Sequence, residues 1–383
     1  MRCIGRRSAP TATLAISLVA AAASVLAPPN AIGGEAQQII PDIIISSTIP
    51  ANGDLNPYGV AFVPPGFPPG KNISPGNILV SNFNDIMNTQ GTGTTIISLK
   101  PNRRVAPAVP AGTEPGNATT FFQGSGLGLT TALGVLKRGF VLVGNVPASG
   151  GVIQPGSLLV IDHTGKQISS LTNQLNDPWD MTIVDDFDHA TVFVSNVNST
   201  TVPEKNGSVT RLNLLVSPNG VSVIGTTVIA KGYTVEPNAA ALVLGPTGLA
   251  YDPTTDTLFV ASTADNAIFA VPRAGNRTGS AGTGNVIFQD DHLRGPLALV
   301  LAPNGDLITS NGDAVNPDPT QPSEIVEFTK SGKFVGQFNV DAGQGGAFGV
   351  AITTLGSDTS RLAAVDDNAN DIIVIDQNLV PGD

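Results

Sequence analysis

The chain has 383 residues, enough for two average domains or one large β domain, and 41 % of them are hydrophobic, which excludes an intrinsically disordered protein. Gly and Pro supply about a fifth of the chain and charged residues only 13 %, a composition of short strands and tight turns. A net charge of −11 argues against nucleic-acid binding, which needs a basic face.

In chain order, the first feature is a secretion signal over residues 1–36. Arg2, Arg6 and Arg7 precede the apolar run 11–27, and Gly34 and Ala36 stand at suitable −3 and −1 cleavage positions. Cys3, the one cysteine, falls inside that signal, so an exported chain would hold itself together without disulfides. The expected product, residues 37–383, carries 16 basic and 29 acidic residues, a net charge of −13. It is expected to be periplasmic or extracellular, with no membrane span after signal removal. The acidic balance serves solubility, or attraction for cations.

Beyond the signal comes one apolar run, 39–48, and then a repeating unit. Each unit opens on a strand with a small residue near its start: "PYGVAFV" (57–63), "GLGLTTA" (126–132), "PWDMTIV" (178–184), "PTGLAYD" (246–252), "GPLALVL" (295–301) and "AFGVAIT" (347–353). A second strand closes on a small residue followed by Asn, Ser or Asp: "ILVSN" (78–82), "VLVGN" (141–145), "VFVSN" (192–196), "LFVAS" (258–262), "LITSN" (307–311) and "LAAVDD" (362–367). A third apolar run follows in every unit, at 95–99, 157–162, 208–214, 267–271, 324–328 and 371–376. A fourth is visible in five units, at 119–123, 166–171, 222–229, 284–289 and 333–340. The sixth unit lacks one because the sequence stops at Asp383, and residues 39–48 are left to supply it.

The opening small residues fall at 59, 128, 180, 248, 298 and 349, a period between roughly 50 and 70. Short strands at that period predict an all-β fold, a six-bladed β-propeller whose last blade is closed by an N-terminal strand. Asn and Asp suit the end of the second strand because their side chains bond nearby backbone N–H groups and tolerate φ > 0. No stretch past residue 36 sustains a helical period, so helix is expected to be scarce.

The pattern resembles the six-bladed propellers of the NHL-repeat and regucalcin/gluconolactonase kind. It is carried best by Gly248-Leu249-Ala250 with residues 258–262 and Ile268, and by Gly349-Val350-Ala351 with Val365, Asp366 and Ile372. The resemblance covers roughly residues 39–376 and speaks for architecture, since propellers host many functions. It implies that the loops between blades and the turns after the second strands open on one face, around the tunnel mouth. It also implies one divalent ion near the tunnel, held by a Glu, two Asn and an Asp, that polarises a lactone carbonyl. The stretch matching the Glu position, "LNPYGV" (55–60), has no carboxylate, and Asp180 is the single acidic residue at an equivalent strand start.

The face so defined is rich in oxygen ligands and poor in bases. Asp180, Asn82, Asn196, Asn311 and Asp366 are the candidate ligands for Ca²⁺ or another divalent cation, with turn chemistry alone as the competing reading and no cofactor as its consequence. Asp180, His292 and Arg294 are the candidate catalytic groups: "QDDHLRGP" (289–296) offers an acid/base beside an anion clamp, or a solvated connecting loop. Trp179, Asn145, Asn266 and Asp313 are candidate ligand contacts, Trp179 being alternatively a core anchor between blades. The three histidines show no paired metal spacing, and no nucleophile elbow or phosphate loop occurs. The first functional expectation is therefore a monomeric binding or interaction module for a protein, glycan or small-molecule partner. The alternatives are a metal-dependent lactonase-like hydrolase or lyase, and an envelope structural protein without a small ligand.

Overall fold

The computed structural model describes residues 42–101, 118–149, 152–197, 204–239, 241–312, 319–357 and 359–378. Residues 1–36, read from the sequence as a secretion signal, lie outside them. Six antiparallel sheets succeed one another along the chain as six propeller blades, and no helix occurs among the described residues. From the tunnel outwards, blade one runs Leu55–Phe62, Ile78–Asn84, Thr95–Leu99, Thr119–Gln123. Blade six runs Ala347–Thr354, Thr359–Asp366, Asp371–Asn378, and then the N-terminal strand Asp42–Ser47. The register of that closure is antiparallel from Asp42 opposite Asp376 to Ser47 opposite Asp371, so the first and last described strands share one sheet as the sequence predicts.

A blade packs against a neighbour on both of its faces, so its middle strands carry apolar residues at successive positions instead of alternating with polar ones. Ile78–Asn84 is buried at all seven positions, and Phe140–Val146 likewise. The core is accordingly a ring of inter-blade clusters. Leu142, Val160, Val192 and Leu212 join blades two and three, and Val80, Ile97, Val365 and Val374 join six and one. A further cluster under one face gathers Phe83, Leu129, Val146, Trp179, Val197 and Val243.

All six inner strands share one irregularity. Pairing with the second strand skips between Pro57 and Val60, Thr130 and Leu133, Pro178 and Met181, Pro246 and Leu249, Pro296 and Leu299, and Ala347 and Val350. Each bulge leaves two successive inner-strand residues without a partner on the second strand. The second of the two is Gly59, Ala132, Asp180, Gly248, Ala298 or Gly349. In blade two the equivalent small residue is thus Ala132, four residues later than the Gly128 read from sequence. The small size has a steric cause: a Cβ on Gly248 would lie 2.4 Å from the Leu297 carbonyl oxygen of the next blade, and one on Gly349 would lie 2.0 Å from that of Tyr58.

Blade three departs from the repeat. Its third and fourth strands, Glu204–Ser217 and Gly220–Asn238, are far longer than their counterparts, and a fifth short strand, Leu242–Leu244, folds back on the end of the fourth. The sequence shows only the middle of this hairpin as strand.

Candidate functional site

The bulge position is where the site begins. Five blades place Gly or Ala there, and blade three places Asp180, directly in the tunnel. Its backbone N–H is held by Ser195 Oγ at 2.9 Å, and Ser195 Oγ in turn donates to the Thr247 carbonyl of blade four at 2.7 Å, which fixes the bulge against its neighbour. The carboxylate accepts the Met181 N–H at 2.7 Å through Oδ1 and the Leu249 N–H at 3.2 Å through Oδ2. The residue is half-buried and borders two of the tunnel's spaces, yet most of its surroundings are protein. Burial drives the pKa of Asp180 up to about 7, the two N–H donors opposing the rise.

The first residue of each bulge forms a second ring, one level up. It comprises Tyr58, Thr131, Trp179, Thr247, Leu297 and Phe348. Trp179 Nε1 donates to Tyr58 Oη at 2.8 Å, with the two rings edge to face. Tyr58 is stacked on Phe83 at 5.3 Å and tilted against Phe348 at 5.1 Å. Burial, and the charge of Asp180 nearby, hold the Tyr58 phenol well above its ordinary pKa, so it keeps its proton.

Three spaces follow one another along the tunnel. An upper cavity of about 230 Å³ has Tyr58, Trp179, Leu297 and Phe348 in its floor and Phe83, Val243 and Leu244 in its walls. Its rim combines Asn56, at the start of blade one's inner strand, with Gln90, Thr263, Asp367 and Asn368 from turns after second strands. Beneath is a waist of about 30 Å³ bordered by Tyr58, Thr131, Asp180 and Thr247. A lower vestibule of about 400 Å³, lined by inner-strand side chains such as Leu133, Ile183, Leu249 and Ile352, meets Asp180 from the other side. The waist has room for one or two waters, with a carboxylate and three hydroxyls for partners.

The other candidate residues lie apart from this column, and none of Asn82, Asn145, Asn196, Asn266, Asn311 and Asp366 lines any of the three spaces. Their side chains staple turns. Asn145 Oδ1 accepts the Gly128 N–H at 2.9 Å, Asn196 the Asn176 N–H at 2.9 Å and Asn311 the Arg294 N–H at 3.0 Å. Each ties the end of a second strand to the loop that leads into its own blade. Asn266 reaches one blade further, to the Gly295 N–H at 2.7 Å and the Leu293 carbonyl at 3.0 Å. Asn82 donates to the Thr48 carbonyl and to Thr95 Oγ1, and Asp366 caps the backbone of Asn368 and Ala369. His292 lies on the rim of blade five, stacked on Phe334 at 3.8 Å with Nδ1 3.1 Å from Asp290. It lines none of the three tunnel spaces, nor does Arg294. Trp179 is 4 % exposed and combines both of its expected roles, anchoring the upper core and flooring the cavity. Asp313 lies outside the described residues.

Donor chemistry tests the divalent cation that the resemblance implies. At the waist there is one carboxylate, both of whose oxygens accept backbone N–H groups, and the remaining polar side chains are hydroxyls. A hard cation takes six to eight oxygens with carboxylates among them, so the waist residues do not fit one. In blade six Asp366, Asp367 and Asp371 are acid-rich, but among the described residues no three His, Cys, Asp or Glu side chains are placed to share an ion.

Tyr58 is the functional residue that sequence reasoning passes over. Its one signal is positional: it stands immediately before Gly59 as Trp179 stands before Asp180, a correspondence that becomes visible once the bulges are aligned.

No family model matches the chain, and no curated protein matches it. Solved structures do. A gluconolactonase from Xanthomonas campestris, described as important in glucose secondary metabolic pathways, superposes with a TM-score of 0.53 at 14 % identity, over 87 % of this chain and 89 % of that one. A structural-genomics target named provisionally as a gluconolactonase gives 0.52 at 13 % identity, over 90 % and 96 %. A calcium-binding protein, regucalcin, from Agrobacterium tumefaciens gives 0.49 at 13 % identity, over 88 % and 95 %. The expectation of a binding or interaction module is corrected by these neighbours, which favour the enzymatic alternative. That expectation leaned on the absence of bases at the rim, whereas the tunnel carries a buried carboxyl that titrates near neutrality. At such identities the likeness establishes architecture: the chain has the six-bladed propeller fold found in the gluconolactonase structures.

Proposed function

We propose that the protein hydrolyses a lactone or ester at the tunnel waist, with Asp180 as general base and Tyr58 as hydrogen-bond donor. The observation that carries this reading is Asp180 itself: a carboxyl at the one tunnel position where the other five blades have only Gly or Ala, titrating at about 7 beside a water-sized space. Carboxyls so displaced, in a cleft, are the ordinary form of a general base at neutral pH. The gluconolactonase neighbours share the fold, which adds to the prior for this chemistry without assigning it.

The chemistry balances with groups present in the chain. Ionised Asp180 takes a proton from a water in the waist as the oxygen attacks the carbonyl carbon above it. Charge gathers on the carbonyl oxygen, toward which the Tyr58 O–H donates. Its acceptor side is occupied by Trp179 Nε1–H, which orients the phenol. The C–O bond of the ring or ester then breaks, and the alkoxide recovers the proton from Asp180. No step passes through a metal, consistent with the donor set at the waist.

The test is a pH–rate profile on δ-valerolactone. Expected is a limb rising through about pH 7, because the base is the ionised form, and a fall of at least about 100-fold in kcat on Asp180→Asn. Hydrolysis that survives in Asp180→Asn, or a profile flat from pH 5 to 9, would overturn the assignment.

A further inference from the structure

The upper cavity says more about the substrate than the fold does. Below its rim the surface is made by Phe83, Trp179, Val243, Leu244, Leu297 and Phe348, with Tyr58 and Thr247 at its floor. Of the hydroxyls within reach, Thr247 and Thr263 both donate to the Pro296 carbonyl, at 3.1 and 2.8 Å, and Tyr58, which accepts from Trp179, has its one O–H left for the reacting carbonyl. Two of the walls, Val243 and Leu244, come from the extension of blade three that the other blades lack. The extension is fastened in place. Thr234 is held by Asp265 through its N–H at 3.0 Å and its hydroxyl at 2.6 Å, and the Ala241 N–H is held by Asn238 at 2.9 Å. Val243 and Leu244 are 5 % and 3 % exposed, and Val243 packs with Trp179 and Phe83, so the wall is preformed.

We propose that this cavity selects lactones or esters with an apolar body and rejects polyhydroxylated sugar lactones. The inference rests on the hydrolase reading for its reaction, and on the walls of the cavity for its substrate class. A sugar lactone would bring several hydroxyls against aromatic and aliphatic carbon. Each would lose water and find no partner except at the rim, whereas an alkyl body exchanges water for contact. Apolar walls with a few polar groups placed at the two ends are the usual form of a small-molecule pocket.

The experiment compares two lactones with the same six-membered ring and the same reacting carbonyl: δ-decalactone, whose ring carries an alkyl chain, and glucono-δ-lactone. It uses the whole chain and the variant Val243→Thr, which keeps the branched shape and adds a hydroxyl. Expected is a kcat/KM for δ-decalactone at least tenfold above that for glucono-δ-lactone, and a rise of about fivefold in the KM for δ-decalactone on Val243→Thr. A preference for glucono-δ-lactone would overturn the substrate class and leave the hydrolase reading intact. If neither is cleaved the hydrolase reading fails, and the emission of Trp179, the sole tryptophan, decides the rest. A saturable change on titrating δ-decalactone, weakened by Val243→Thr, upholds the apolar cavity; a titration without saturation overturns it.

Discussion

Asn311 shows what the residue at the end of a second strand does. Its amide accepts the Arg294 N–H and donates to the His292 carbonyl at 2.7 Å and to Glu324 Oε1 at 2.8 Å, all while fully buried. Replacing it with Ala leaves buried backbone groups unbonded, and Asn311→Ala is expected to lower stability by roughly 2–4 kcal/mol, measured by denaturant unfolding. The sequence shows that such an Asn recurs, and that turn chemistry is one reading of it. It does not show which way the amide faces, because that depends on the loop entering the blade, some 15 or more residues away in sequence. Asp180 was legible as the exception in a row of small residues. Tyr58 was not, since an aromatic residue in an apolar strand reads as core.

At the scale of the element, the bulge and the turn decide what the repeat can carry. The bulge explains why one blade was misaligned in sequence: Gly128 and Ala132 are both small, and only the pairing of Thr130 with Asn145 and Leu133 with Val143 shows that Ala132 is the residue in the bulge. The extension of blade three was illegible for a different reason, as its residues look like loop until a partner strand is beside them. The turn between Thr359–Asp366 and Asp371–Asn378 carries its own pH dependence. Burial first, then mutual repulsion with Asp341 or with one another, raises Asp366 to about 6 and Asp367 and Asp371 to about 7. Folded carboxyls with raised pKa hold protons that the unfolded chain releases near pH 4. Their contribution is therefore complete below about pH 4 and is lost as pH rises toward 7. Asp371→Asn is expected to raise the melting temperature at pH 8, by an amount equivalent to roughly 1–3 kcal/mol, and to change little at pH 4. An equal effect at both values would show that the carboxyl is not repelled in the fold.

For the molecule as a whole, closure is the structural event on which the rest depends. The strand Asp42–Ser47 pairs along its whole length with Asp371–Asn378 and buries Ile44 in the cluster between blades six and one. Deleting residues through 47 would leave the edge of blade six unpaired, with Ile373 and Ile375 on it. The shortened chain is expected to lose its cooperative melt and to self-associate, as sedimentation would show; a monomer with an unchanged melt would mean that closure lies elsewhere. A ring locked in this way also holds the tunnel at fixed width, and so keeps a lone carboxyl poorly solvated at its centre.

The central claim is that Asp180 is held in the tunnel at a cost in stability because the reaction needs it. One measurement addresses both halves: the melting temperature and δ-valerolactone hydrolysis of the natural chain and Asp180→Asn, followed together from pH 5 to pH 8.5. At high pH the natural chain must keep an ionised carboxylate where burial disfavours it. Asparagine removes that penalty and gives up one N–H bond, so the variant is expected to be more stable at pH 8.5 by roughly 1–3 kcal/mol, to lose most of that advantage at pH 5, and to be inactive throughout. A variant that is active, or that is less stable than the natural chain at pH 8.5, would contradict the account and make Asp180 a structural carboxylate.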